Sequence, residues 1–205
     1  MSPDYLLAAR YKRKPIWPDI LPLIDPQISK RYSVSNIVSQ TEADIRMEMQ
    51  QPTSHERLAL AGEIDSQAPV QAQGSILVEV PVGRVWAALS DVANWPAIRA
   101  DINTVSQAEA AAAGVVFTWS TGEVAVTSRF GIVDPDHRLT WTTTALGLAA
   151  VHVYVFEVLG PELTRISAAE SMDGPIVAAV QLNSAQLAER IQSWLIGIKD
   201  FAERP

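Results

Sequence analysis

From Ser75 onward the chain is built of short apolar and polar alternations separated by turn residues. Ser75 to Val80 (SILVEV) alternates and stops at Pro81, after which Val82, Val85, Trp86 and Leu89 recur at three- and four-residue steps. A strand therefore feeds a short helix. Asp91 is placed to cap the next turn, and Trp95-Pro96 predicts a second short helical piece ending near Asp101. Six further strands are expected: Thr104 to Gln107, Val115 to Ser120, Glu123 to Val133, Arg138 to Ala145, Val151 to Val158 and Leu163 to Met172. Gly122, Asp134-Pro135-Asp136 and Gly160-Pro161 make the connections short enough for antiparallel neighbours, so the sheet is a meander. Beyond it, Gly174 to Glu203 sets Leu187, Ile191, Trp194, Leu195, Ile198 and Phe201 on one stripe, with Pro175 near the first helical position. The expected class is α+β, a curved seven-stranded antiparallel sheet offering its concave side to one long helix.

Such a sheet leaves room for a cavity, and its lining is set by hairpin register. Across Asp134-Pro135-Asp136-His137, Phe130 falls opposite Trp141, Ser128 opposite Thr143 and Ile132 opposite Leu139. Across Gly160-Pro161, Phe156 falls opposite Ile166, Tyr154 opposite Ala168 and His152 opposite Glu170. Val151, Val153 and Val155 are as apolar as the His152, Tyr154 and Phe156 set, so alternation alone does not choose the inward face. Ile166 and Ala168 share the aromatic face while Arg165 and Ser167 share the other, which favours the aromatic set inward. Glu123 and Arg129 then point outward.

The segment 1–74 breaks the pattern. It carries Pro15, Pro18, Pro22 and Pro26 without a sustained period and reads as an extended or partly helical N-terminal extension to a domain over 75–205. Arg10, Lys12, Arg13 and Lys14 crowd beside Trp17, a solvated tail or a strap on its own domain, with contact to an anionic membrane or an acidic partner as the sharper alternative. A short helix is expected around Thr41 to Gln51, capped by Ser39 or Thr41.

Charge and composition narrow the function. Over 205 residues, 16 Lys and Arg stand against 23 Asp and Glu, a net charge of −7, which argues against nucleic acid as partner. With no cysteine there is no thiolate nucleophile, disulfide or Cys-based zinc site, and His55, His137 and His152 are not at ligand spacing. No metal or nucleotide cofactor is expected, since the dinucleotide and phosphate-loop glycine patterns are also missing. The lack of a leader-like or membrane-spanning apolar run suggests a cytoplasmic protein without stable membrane insertion. The oligomeric state is open, a homodimer included.

The ordered motifs resemble a known family. Ile76-Leu77-Val78-Glu79-Val80-Pro81, Val85-Trp86, Leu89-Ser90-Asp91, Asn94-Trp95-Pro96, Phe117-Thr118-Trp119, Leu139-Thr140-Trp141, Ala150-Val151-His152, Glu170-Ser171 and Trp194-Leu195 with Lys199 resemble the START-like SRPBCC superfamily, in its polyketide cyclase/dehydrase and lipid-transport branch. The resemblance spans Ser75 to Glu203. It implies a helix-grip fold, a sheet wrapped round the last helix with a hydrophobic cavity open at one end, holding a lipid, steroid or polyketide. Some members act as cyclases or dehydratases. In this chain Ile98-Arg99 replaces the family's second aromatic after Trp95-Pro96, and 1–74 has no counterpart.

Binding of a hydrophobic small molecule is thus the first expectation. A cyclase or dehydratase using His152 and Glu170 as acid/base pair, with Tyr154 beside them, is the alternative, because a carboxylate fixes an imidazole's tautomer for proton transfer. A partner-binding role for the N-terminal arm is the second alternative. Trp95, Arg99, Trp119, Ser128, Phe130 and Trp141 are expected to bind ligand, as are Thr143, Phe156, Ile166, Leu187 and Ile191. Arg99, near the expected mouth, would meet a carboxylate or phosphate, or would simply be a surface arginine.

Overall fold

Where alternation was expected the chain forms sheet, and all seven strands join one antiparallel sheet. The computed structural model describes residues 52–205. The strands are β1 (Val70–Val78), β2 (Ile102–Gln107), β3 (Val116–Thr121), β4 (Val124–Asp134), β5 (Arg138–Ala145), β6 (Leu148–Gly160) and β7 (Leu163–Asp173). Their order is β1-β7-β6-β5-β4-β3-β2, a meander with the first strand added beside the last. The helix expected over 41–51 and the basic cluster with Trp17 lie outside the described residues.

The helices are α1 (Ser54–Ala61), α2 (Val82–Ser90), α3 (Trp95–Ile98), α4 (Pro175–Ala179) and α5 (Ser184–Ala202), with a 3-10 turn at Val92–Asn94. The expected unbroken helix over 174–203 is two pieces. Gln181 has a φ of 53°, and Asn183 caps α5 reciprocally with Gln186, each side chain bonding the other's backbone at 3.0 Å. A cap that satisfies two orphan donors competes well with continuing the helix, and it decides the break. From there α5 buries Leu187, Ile191, Trp194, Leu195 and Ile198 against the concave face. Gly197 permits its approach to α3, since a Cβ there would lie 2.7 Å from the Ile98 carbonyl oxygen.

The start of the first strand and the register of one hairpin depart from the sequence-based expectation. β1 begins at Val70 rather than Ser75, because Val70 to Gly74 already pair with Met172 to Ala168 of β7. Gln71, Ala72, Gln73 and Gly74 alternate only polar with small residues, a pattern that an edge strand tolerates and an apolar count overlooks. In the β4–β5 hairpin, Phe130 faces Trp141 and Ser128 faces Thr143, but a bulge after Phe130 puts Val133, not Ile132, opposite Leu139. The bulge serves α1. Thr140 Oγ1 donates to the Ala59 carbonyl at 2.7 Å and accepts the Ile132 N–H at 2.7 Å. A Cβ on Gly131 would lie 2.6 Å from that same hydroxyl oxygen.

Helix α1 resolves the ambiguity of the valines. It lies on the convex face, capped by Thr53 and Glu56, tied to β4 by Glu56 and Arg129 at 2.9 Å, with Ala59 packed on Val151 and Val153. Strand β6 is therefore apolar on both faces where α1 covers Val151 and Val153, while Val155 beyond it is exposed. His152, Tyr154 and Phe156 are the concave set, and β6 and β7 pair in the expected register, His152 with Glu170, Tyr154 with Ala168 and Phe156 with Ile166.

Candidate functional site

Beneath α5 the concave face encloses a cavity of about 70 Å³. Strands β3, β5, β6 and β7 contribute through their inward alternate residues: Trp119 from β3, Trp141 and Thr143 from β5, Ala150, His152 and Tyr154 from β6, Glu170 and Met172 from β7. Leu187, Arg190, Ile191 and Trp194 face it from α5, while Trp95 and Arg99 enter from α3 and the residue after it; Ile102 and Leu148 complete the lining.

Aromatic rings make most of the wall. Trp95 is buried at the centre of a cluster, its ring centroid 5.4 to 5.7 Å from those of Phe117, Trp119, Trp141 and Trp194. Its indole N–H is satisfied by the Leu89 carbonyl at 3.0 Å. Trp141 lies nearly parallel to His152 and to Tyr154, both at 4.9 Å. Such rings present flat π faces to whatever enters.

The polar groups gather at Glu170. Its Oε1 accepts the Tyr154 hydroxyl at 3.0 Å and lies 3.2 Å from His152 Nδ1, whose N–H is not aligned for a hydrogen bond. Burial works against the charged carboxylate, but the attraction of His152, the Tyr154 hydroxyl and the nearby Arg99 outweigh it and hold Glu170 below the ordinary carboxylate range. The Tyr154 hydroxyl is pushed well above the ordinary tyrosine value by burial first and by the Glu170 charge second. This tyrosine therefore stays protonated and donates to the carboxylate.

Arg99 is not the exposed surface arginine of the plainer expectation, with 13% of its side chain accessible. Its Nε lies 2.7 Å from Asp101 Oδ1, and Asp101 Oδ2 in turn accepts the Thr121 hydroxyl at 3.0 Å. The guanidinium carbon is 5.9 Å from the Trp119 ring centroid and 5.2 Å from that of Trp194. Burial pulls its pKa down from the ordinary arginine value, an effect that Asp101 opposes. Arg99 Nη2 and both ring nitrogens of His152 are buried without a hydrogen-bond partner.

Four residues expected at the ligand do not line this cavity. Ser128 stands behind it, its Oγ accepting the Trp119 indole N–H at 3.1 Å and sharing a hydrogen bond with Thr143 at 2.9 Å. Phe130 packs on Phe117 in the core, Phe156 on Trp86, and Ile166 is buried opposite Phe156. Conversely, Ala150, Met172, Arg190 and Trp194 belong to the lining without having been singled out as ligand residues. A step of two from His152 or Glu170, and of three from Ile191, reaches Ala150, Met172 and Trp194. Among the described residues no three His, Asp or Glu side chains come together as a metal site, and no helix is long and apolar enough to cross a membrane.

This arrangement of sheet and terminal helix is the START-like helix-grip fold. No protein-family model and no curated protein matches the sequence. Solved structures do. A hypothetical protein from Helicobacter pylori is similar with TM-score 0.58 at 19% identity, over 68% of this chain and 91% of that one. The Zhui aromatase/cyclase from Streptomyces sp. R1128 is similar with TM-score 0.53 at 20% identity, over 65% and 93%. A START superfamily protein from Mycobacterium smegmatis is similar with TM-score 0.52 at 11% identity, over 65% and 97%. At these identities what is shared is the architecture.

Proposed function

We propose that this domain binds a small, predominantly apolar molecule in the cavity under α5. The observation that carries the reading is a void walled by Trp95, Trp119, Trp141 and Trp194 in which buried polar atoms of His152 and Arg99 have no protein partner. Buried donors and acceptors in native proteins are nearly always satisfied, so unsatisfied ones on residues that line a void are what a bound molecule would complete. The resemblance of the fold to an aromatase/cyclase and to a START superfamily protein supports the same reading. Native mass spectrometry of the gently extracted full chain should find a co-purifying apolar compound, and apolar ligands added to the stripped protein should change its tryptophan emission. If no apolar compound of any size is retained or quenches that emission, the reading fails.

A second reading, acid/base catalysis of a cyclase or dehydratase type, is favoured by the His152 and Glu170 pair. The carboxylate beside Nδ1 leaves Nε2 as the nitrogen without a neighbouring carboxylate, and that nitrogen would take a proton from a carbon next to a carbonyl and return it to a leaving oxygen. Tyr154 is a positioning residue in this scheme, because its hydroxyl is committed to Glu170 and does not meet substrate. His152→Ala is expected to lower turnover by about 10²- to 10⁴-fold with the fold retained. Full turnover in that variant would leave the binding reading alone standing.

A further inference from the structure

An apolar ligand alone would leave the polar atoms of this cavity unanswered. The Arg99 guanidinium is held in place: Asp101 lies 2.7 Å from Nε as an ion pair without an aligned hydrogen bond, and the indoles of Trp119 and Trp194 lie near its carbon. These contacts fix where the fork points. Nη2 remains buried with no acceptor, and His152, on the same wall, has its Nε2 in the same condition. A second guanidinium, Arg190, also stands on that wall, whereas Glu170 is the one carboxylate lining it. The group that satisfies an unpartnered guanidinium N–H best is a charged oxygen, since charge-assisted hydrogen bonds are about twice as strong as neutral ones.

Size and shape restrict the rest of the molecule. The cavity encloses about 70 Å³, against about 300–1,000 Å³ for pockets that hold drug-sized ligands. A multi-ring polyketide or a long acyl chain exceeds it severalfold; a single ring with a short head comes nearest to it. Parallel and edge-on indole faces suit a planar ring. We propose that the ligand is a planar, ring-sized carboxylate whose oxygen docks on Arg99 Nη2 while its ring lies among Trp95, Trp119, Trp141 and Trp194. This assignment rests on the cavity-binding reading above and names its chemical class.

The test sets charge and size against each other on the full chain, read by tryptophan fluorescence and calorimetry. Benzoate is compared with benzamide, the same shape without the charge, and with decanoate, the same charge on a long chain. Benzoate is expected to bind at least about tenfold tighter than benzamide, a free-energy difference of about 1.4 kcal/mol, and tighter than decanoate. Arg99→Met should remove the preference for benzoate over benzamide; Arg99→Lys, which keeps the charge without the fork, should fall between. Equal affinity for benzoate and benzamide in the wild-type chain overturns the assignment, and this comparison stands if the variants do not fold. So does a preference for benzoate that survives in folded Arg99→Met, or the absence of benzoate binding at millimolar concentration. Tight binding of decanol or another neutral apolar compound without benzoate would sink the carboxylate class and leave the cavity-binding reading intact. Failure of all of them would sink both.

Discussion

Single atoms decide how the site behaves with pH. Tyr154 is protonated in the folded protein well beyond its ordinary value of 10.0 because its hydroxyl is buried against Glu170. The unfolded chain ionises near that ordinary value, so the stabilisation is fully present below it and is lost as pH rises toward the folded value. Denaturant titrations between pH 8 and 11, a range spanning about that value, should show stability falling on the alkaline side, with a shallower fall in Tyr154→Phe. Glu170 behaves in the opposite sense. Its folded value lies below 4.5, so its contribution is present above that pH and lost as pH falls through the folded value. Glu170→Gln should flatten the acid limb. The pairing of His152 with Glu170 was legible in the sequence, because register across a short turn is a matter of counting. The environment of Arg99 was not, since Trp119 and Trp194 meet it from β3 and α5, far along the chain.

At the level of elements, close approach is controlled by residues without side-chain bulk. Gly197→Ala would place a methyl 2.7 Å from the Ile98 carbonyl oxygen, forcing α5 away from α3 at a cost of about 1–3 kcal/mol, measurable by urea unfolding. Thr140→Val removes both bonds that join α1 to the β4 bulge, those to Ala59 and Ile132. Leaving those buried backbone groups unsatisfied should cost on the order of 1–3 kcal/mol, with faster amide exchange at Ile132 as its local sign. The strands were readable because alternation is a direct image of a two-sided surface. Helix α1 was not, although Thr53 and Glu56 form a recognisable capping box. Eight residues behind Pro52 carry too little periodicity to stand out, and its partners, Val151 and Val153, are almost a hundred positions away. The same hidden contact made β6 look equally apolar on both sides.

For the molecule as a whole, the hollow interior expected from the pattern is present but narrow. Trp95, Trp119, Trp141 and Trp194 occupy much of the space that a curved sheet and a helix would otherwise leave open. Volumes of this kind are invisible to periodicity, which tells which residues face inward but not how far they reach. Trp141→Ala should therefore enlarge the void, lower stability by about 3–5 kcal/mol, and admit longer ligands such as decanoate; thermal shifts with and without that compound measure both effects together.

The placement of β1 carries a consequence for biosynthesis. Its hydrogen-bonding partner is β7, so Val70 must wait for Met172 before either finds the other. A polypeptide leaving the ribosome thus exposes a bare ribbon edge throughout elongation, and the gap closes only as the final strand and helix emerge. Nascent chains halted before Leu163 should remain protease-sensitive and recruit chaperones, whereas release of the completed chain should bring abrupt, all-at-once protection.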